Sequence, residues 1–167
     1  DVYKRQGLGK AGFQIGAAFD NNAPAIKTYN RNLGDHGFVG DANSITGAEL
    51  MDKCRKSDID LLAGGPPCQG FSKQKRGAHL GDKRNALVLE HLRLINEVRP
   101  KAFLMENVAT LAGVRGGHLV ERFSELADYE LSGSFYMAAD FGVAQTRERY
   151  ILVGIRKDMP GQYRIPA

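Results

Sequence analysis

The chain alternates short apolar runs with longer amphipathic stretches, and the runs have the length of strands. Gln14 to Phe19 is mostly apolar and ends on the carboxylate of Asp20, which predicts a strand over 14–20. Asn21 and Asn22 then lead into a predicted helix over 22–33, with Pro24 suited to its first turn. The series continues as strand 38–41, helix 47–56, strand 59–63, helix 85–98 stopping before Pro100, strand 102–107 and helix 118–129. Strands near 134–139 and 150–155 close it. Strands alternating with helices predict an α/β fold: a doubly wound, mostly parallel sheet covered on both faces.

With 167 residues and 43% hydrophobic content, one domain with a core of ordinary size is expected. No membrane-length apolar run, signal peptide, internal repeat or low-complexity tract interrupts the pattern. A formal net charge of +4 and a pI near 9.1 are compatible with a nucleic acid partner but do not establish one.

The candidate chemistry starts at Gly64-Gly65-Pro66-Pro67-Cys68-Gln69-Gly70-Phe71-Ser72, directly after the apolar run Ile59 to Ala63. The two glycines let the backbone turn sharply off a strand, and the two prolines fix successive φ angles, so Cys68 has the setting of a presented nucleophile. Lys73, Lys75, Arg76, Lys83 and Arg84 follow closely, and cationic surroundings lower a thiol's pKa and raise its thiolate fraction. Cys54, inside Asp52-Lys53-Cys54-Arg55-Lys56, reads as an inert helical residue. Two cysteines so far apart, with no His-x-Glu, give no metal-ligand pattern, so no metal is expected. A reactive thiol fits a reducing, cytoplasmic setting.

Two further clusters offer help to such a nucleophile. In Phe103-Leu104-Met105-Glu106-Asn107-Val108 a carboxylate ends an apolar strand, which is costly unless the group is paired or protonated. Burial is therefore expected to raise the Glu106 pKa, although a strand-end cap or ion pair explains the residue equally well. In Gln145-Thr146-Arg147-Glu148-Arg149, period-2 alternation puts Gln145, Arg147 and Arg149 on one face of an extended segment, as a solvated edge strand would also do.

Together, the Pro-Pro-Cys-Gln loop, the Glu-Asn-Val strand end and the Gln-x-Arg-x-Arg segment, in this order, resemble the cytosine-5 DNA methyltransferases. The resemblance runs from about Gly7 to the C-terminus. It implies a Rossmann-like class I methyltransferase fold, S-adenosylmethionine as methyl donor and double-stranded DNA as substrate. By resemblance Cys68 adds to carbon 6 of a flipped cytosine, Glu106 holds ring nitrogen 3 and the exocyclic amine, and Arg149 and Arg147 lie near the base oxygen and the Cys. Asp20 is expected on the cofactor ribose, Asn21 by the adenine and Asp41 on the adenine amine, with Ala42, Pro67 and Leu87 lining the pocket. Taken alone, Asp20 and Asp41 read as helix caps. The segment Ser72 to Gly81 resembles the family's mobile catalytic loop, which assigns Ser72, Lys73, Lys75 and Arg76 to DNA, along with Gln145.

The ends depart from the family. Members begin with an apolar strand ending Phe-x-Gly-x-Gly-Gly, whereas Asp1-Val2-Tyr3-Lys4-Arg5-Gln6 is too polar for a strand buried on both faces. Its back-translation matches a transposon end used in preparing sequencing libraries, so residues 1–6 are expected to be a non-native scar and the first strand to be missing or replaced. Gly7-Leu8-Gly9-Lys10-Ala11-Gly12 satisfies G-x-G-x-x-G, but it lacks the required preceding strand and resembles the family's first helix instead. Residues 7–167 are expected to be a partial catalytic domain that stops before the target-recognition region. Ala144 stands where Pro is usual and Met137 where Asn is common. Other readings are a tRNA cytosine-5 methyltransferase, a non-catalytic DNA-binding remnant, or one half of a split enzyme completed by a second chain.

Overall fold

The computed structural model describes residues 2–67, 86–113 and 116–161. The chain divides into two compact units, Asp1–Asp58 and Ile59–Ala167.

The first unit opens with helix α1 (Val2–Lys10), so the polar residues Lys4, Arg5 and Gln6 are helical. Gly12, at φ +91°, reverses the chain after it. The amide of Phe13 reaches the Leu8 carbonyl and that of Gly12 the Gly9 carbonyl, the paired bonds of a Schellman stop. Strand β1 (Ala18–Asp20) is parallel to β2 (Gly37–Val39), in the register Ala18 to Gly37, Phe19 to Phe38 and Asp20 to Val39. The strand predicted over 14–20 keeps only its last three residues, matching the three that β2 offers as partners. Gly16 lies instead against Cys54, where a Cβ would come within 3.3 Å of the thiol sulfur.

Helix α2 (Ala23–Leu33) connects β1 to β2, buries Ile26 and Tyr29, and is capped by Asn22, whose side chain accepts from the Ala25 amide at 2.9 Å. The Asn30 amide group both donates to and accepts from the Gly37 backbone, at 2.8 Å each way, which ties α2 to β2. Helix α3 (Gly47–Cys54) starts in a capping box between Thr46 and Glu49. It ends two residues before the expected limit because Arg55 turns left-handed, at φ 53°.

The second unit is a four-stranded sheet in the order β3 (Leu61–Gly64), β4 (Ala102–Val108), β6 (Glu148–Arg156), β5 (Tyr129–Met137). The β3–β4 pair is parallel, and β6 runs antiparallel to both of its neighbours. The α/β, Rossmann-like class is as expected, but this sheet is mixed because β5 and β6 form a hairpin without a crossover helix. Along β4, Phe103, Met105 and Asn107 are buried on one face. Phe103 and Met105 pack with Val88, Leu92 and Ile95 of α4 (Ala86–Val98), and with Phe123, Tyr129, Tyr150 and Leu152.

The helix expected over 118–129 is shorter: α5 (Gly117–Glu121) passes into a 3-10 turn at Arg122–Glu125. Strand β5 then begins at Tyr129, whose hydroxyl donates to the Pro100 carbonyl at 2.6 Å. Gly133 sits mid-strand because the Tyr150 ring covers it; a Cβ there would fall 2.0 Å from the Tyr150 hydroxyl. Gly154 similarly makes room for Phe103.

Candidate active site

Topology brings the described parts of the three sequence motifs to one end of the second unit's sheet. Parallel pairing sets the C-terminal ends of β3 and β4 side by side, and antiparallel pairing adds the N-terminal end of β6. Gly64 therefore hands the chain to Gly65-Pro66-Pro67 beside Glu106-Asn107-Val108, which lies opposite Arg149-Tyr150-Ile151.

Two contacts lock this corner. Asn107 Nδ2 donates to the Pro66 carbonyl at 2.9 Å, and Asn107 Oδ1 accepts from the Val108 amide at 2.9 Å. Arg149 Nε meets Glu106 Oε1 at 2.8 Å, each side chain 24% exposed. The register pairs Glu106 with Ile151 and Val108 with Arg149, so this is a diagonal cross-strand pair on one face. Of the two ways to place a carboxylate at an apolar strand end, pairing or protonation, the fold provides a pairing partner. Arg149 is further steadied by the Glu148 carbonyl, which accepts from its Nη1 at 2.8 Å.

Gln145 and Arg147 do not join Arg149 on a strand face, as alternation had predicted. Strand β6 starts at Glu148, and the preceding residues fold through two tight bonds, from the Gln145 amide to the Val143 carbonyl and from the Arg147 amide to the Gln145 carbonyl. Both residues are exposed. Leu87 is half-buried in the first turn of α4, and Pro67 is exposed. Cys68, Ser72, Lys73, Lys75 and Arg76 lie outside the described residues. Cys54 is half-buried, and burial pushes its thiol pKa up, in keeping with an inert residue.

In the first unit, Asp20 ends β1 and Asp41 follows β2 by two residues, so both mark the C-terminal side of a parallel pair. Neither caps a helix. Asp20 accepts from the Asn22 amide at 2.8 Å, and Asn22 is itself the cap of α2. Asp41 Oδ1 accepts from the Asn43 backbone at 3.0 Å and from its side-chain amide at 2.7 Å, bonds that hold the Asp41 carboxyl below the ordinary carboxylate range. Asn21 and both carboxylates are exposed, and Ala42 is half-buried. Two exposed carboxylates at strand C-termini can accept from hydroxyls and an amine, the donors a nucleoside offers.

Sequence reasoning gave Asn107 no role of its own. The available signal was its place in the buried alternation after Phe103 and Met105, where a polar side chain must find partners.

The Type II methyltransferase M.AquIA of Picosynechococcus sp. is 35% identical over 96% of this chain and 70% of its own length. M1.ScrFI of Lactococcus lactis subsp. cremoris is 38% identical over 83% of the chain, and M.NgoPII of Neisseria gonorrhoeae 31% identical over 96%. The chain spans only 35% and 47% of those two relatives. A candidate DNA modification methyltransferase encoded within a prophage in E. coli superposes with a TM-score of 0.74 at 29% identity, over 88% of this chain and 41% of that one. The Spodoptera frugiperda DNMT2 mutant structure shares the fold, with a TM-score of 0.72 at 20% identity over 94% of this chain and 47% of that one. A family model of C-5 cytosine-specific DNA methylases matches residues 4–166, and the chain belongs to that family.

Proposed function

We propose that the protein methylates carbon 5 of cytosine in double-stranded DNA through a covalent adduct of Cys68 with a flipped base. The observation that carries the reading is the corner where Asn107 holds the Pro66 carbonyl and Arg149 holds Glu106. S-adenosylmethionine supplies the methyl group, with Asp20 assigned to its ribose and Asp41 and Asn21 to its adenine; Ala42, Pro67 and Leu87 are the further residues assigned to the cofactor.

Carbon 5 of cytosine is a poor nucleophile. Addition of the Cys68 thiolate to carbon 6 pushes electron density onto carbon 5 and ring nitrogen 3, where the Glu106 carboxyl holds the nitrogen and the exocyclic amine. After methylation the carbon 5 proton leaves, the carbon 5–carbon 6 double bond re-forms, and Cys68 is expelled as thiolate. Arg149 orients Glu106 and, with Arg147, offers donors toward the base oxygen. Ser72, Lys73, Lys75, Arg76 and Gln145 take the DNA, whose target base leaves the stack at a cost of a few kcal/mol. Residues 7–167 belong to the catalytic domain in this reading.

Labelled methyl transfer from S-adenosylmethionine to matched DNA and RNA duplexes tests this. Label appearing as 5-methylcytosine in DNA supports it. Label in RNA alone points to the tRNA-type reading, and DNA binding without transfer to a non-catalytic remnant.

A further inference from the structure

The face of the second unit's sheet opposite its core carries a row of side chains that runs through Arg149. Val108 on β4 and Tyr136 on β5 lie directly opposite Arg149 in the register, one on each side. Glu106, Ile151 and Ser134 form the next row on the same face. All six are half-buried, whereas Phe103, Met105, Asn107 and Leu152 are buried on the other face.

Directly opposed residues on antiparallel strands have their Cβ atoms about 4.5–5.5 Å apart, so the Tyr136 side chain starts beside the Arg149 stem. Among the neighbours in these two rows, Val108 and Ile151 are aliphatic, Ser134 is small, and Glu106 is the carboxylate that Arg149 Nε meets at 2.8 Å. Tyr136 alone of them brings a large ring, and it does so on the side away from Glu106. That ring is backed by Phe141, in the turn that follows β5, with centroids 5.8 Å apart and planes at 55°. Because β5 is the last strand of this sheet, no further strand among the described residues limits Arg149 on that side. A long arginine side chain gives up rotamer freedom to hold one ion-pair geometry, and a wall that closes one side reduces what remains to be given up.

We propose that Tyr136 is a positioning residue for Arg149: its ring, backed by Phe141, closes the β5 side of the arginine and directs the guanidinium toward Glu106 on β4. The inference rests on the proposed function only for the use of the pair in catalysis, since the pair itself is a feature of the fold.

The test is a urea-unfolding double-mutant cycle of Glu106→Gln and Arg149→Ala in the full-length protein, run in wild-type, Tyr136→Ala and Tyr136→Phe backgrounds. This readout needs neither DNA nor cofactor, so its failure is distinguishable from failure of the proposed activity. Tyr136→Ala should lose about half or more of the coupling between Glu106 and Arg149, and Tyr136→Phe, which keeps the ring, should retain it. A residue that served stability alone would lower every corner of the cycle equally and leave the coupling unchanged. That outcome would overturn the inference, as would a wild-type cycle without coupling, or a loss as large in Tyr136→Phe as in Tyr136→Ala. If Tyr136→Ala does not fold, Tyr136→Val, which keeps a strand-favouring side chain without the ring, decides by the same measure.

Discussion

Asn107 and Pro66 connect the ends of two parallel strands through one side chain, with Asn107 Nδ2 2.9 Å from the Pro66 carbonyl oxygen. Asn107 is 5% exposed, and its other amide atom accepts from Val108. Asn107→Ala leaves a carbonyl and an amide unsatisfied near the core, so it should lower stability by about 1–3 kcal/mol. A urea titration should show a lower midpoint at unchanged slope.

Glu106 and Arg149 answer to each other across β4 and β6. With each about three-quarters buried, a double-mutant cycle of Glu106→Gln and Arg149→Ala should give a coupling of roughly 1 kcal/mol in stability, partly lost in high salt. If the proposed mechanism holds, each single variant should also slow methyl transfer by about a hundredfold or more, the loss expected when a group placed at developing charge is removed.

Two glycines serve as sockets for aromatic rings, Gly133 for Tyr150 and Gly154 for Phe103. Adding a methyl group to either drives a buried ring from its place. Gly133→Ala and Gly154→Ala should each cost about 1–3 kcal/mol, visible as a lowered thermal midpoint.

The capping box of α3 should give the protein a component of acid sensitivity. The Thr46 backbone amide, and then its hydroxyl, donate to the Glu49 carboxylate and lower its pKa in the folded state. A depressed carboxyl contributes stability that is full above its unfolded pKa and is lost as pH falls through the folded one. Glu49→Gln should therefore be less stable than wild type at neutral pH, with the gap closing as pH is lowered through that window. Urea unfolding at stepped pH checks this.

Most of the alternating series was legible because β4 and α4 have strong periodicity and a stop at Pro100. The candidate site was legible as three motifs, of which the described residues Pro66, Glu106, Asn107 and Arg149 meet at one end of the second unit's sheet. The β5–β6 hairpin was less so: the pattern gives a helix over 118–129 and a strand only near 134–139, whereas β5 starts at Tyr129 and carries Gly133 mid-strand under the Tyr150 ring. Period-2 counting from Arg149 back to Gln145 failed because successive tight turns leave no residue trace in alternation.

Attack of Cys68 on cytosine, the step on which the proposed function turns, is tested by trapping with DNA containing 5-fluorocytosine in the presence of S-adenosylmethionine. Fluorine in place of the departing proton arrests the cycle after methylation. The full-length protein should form a denaturation-resistant complex with this DNA, with the modified base mapped to Cys68, and Cys68→Ala should form none. A full-length protein that binds both the DNA and the cofactor yet forms no adduct, or forms one undiminished in Cys68→Ala, would contradict the account.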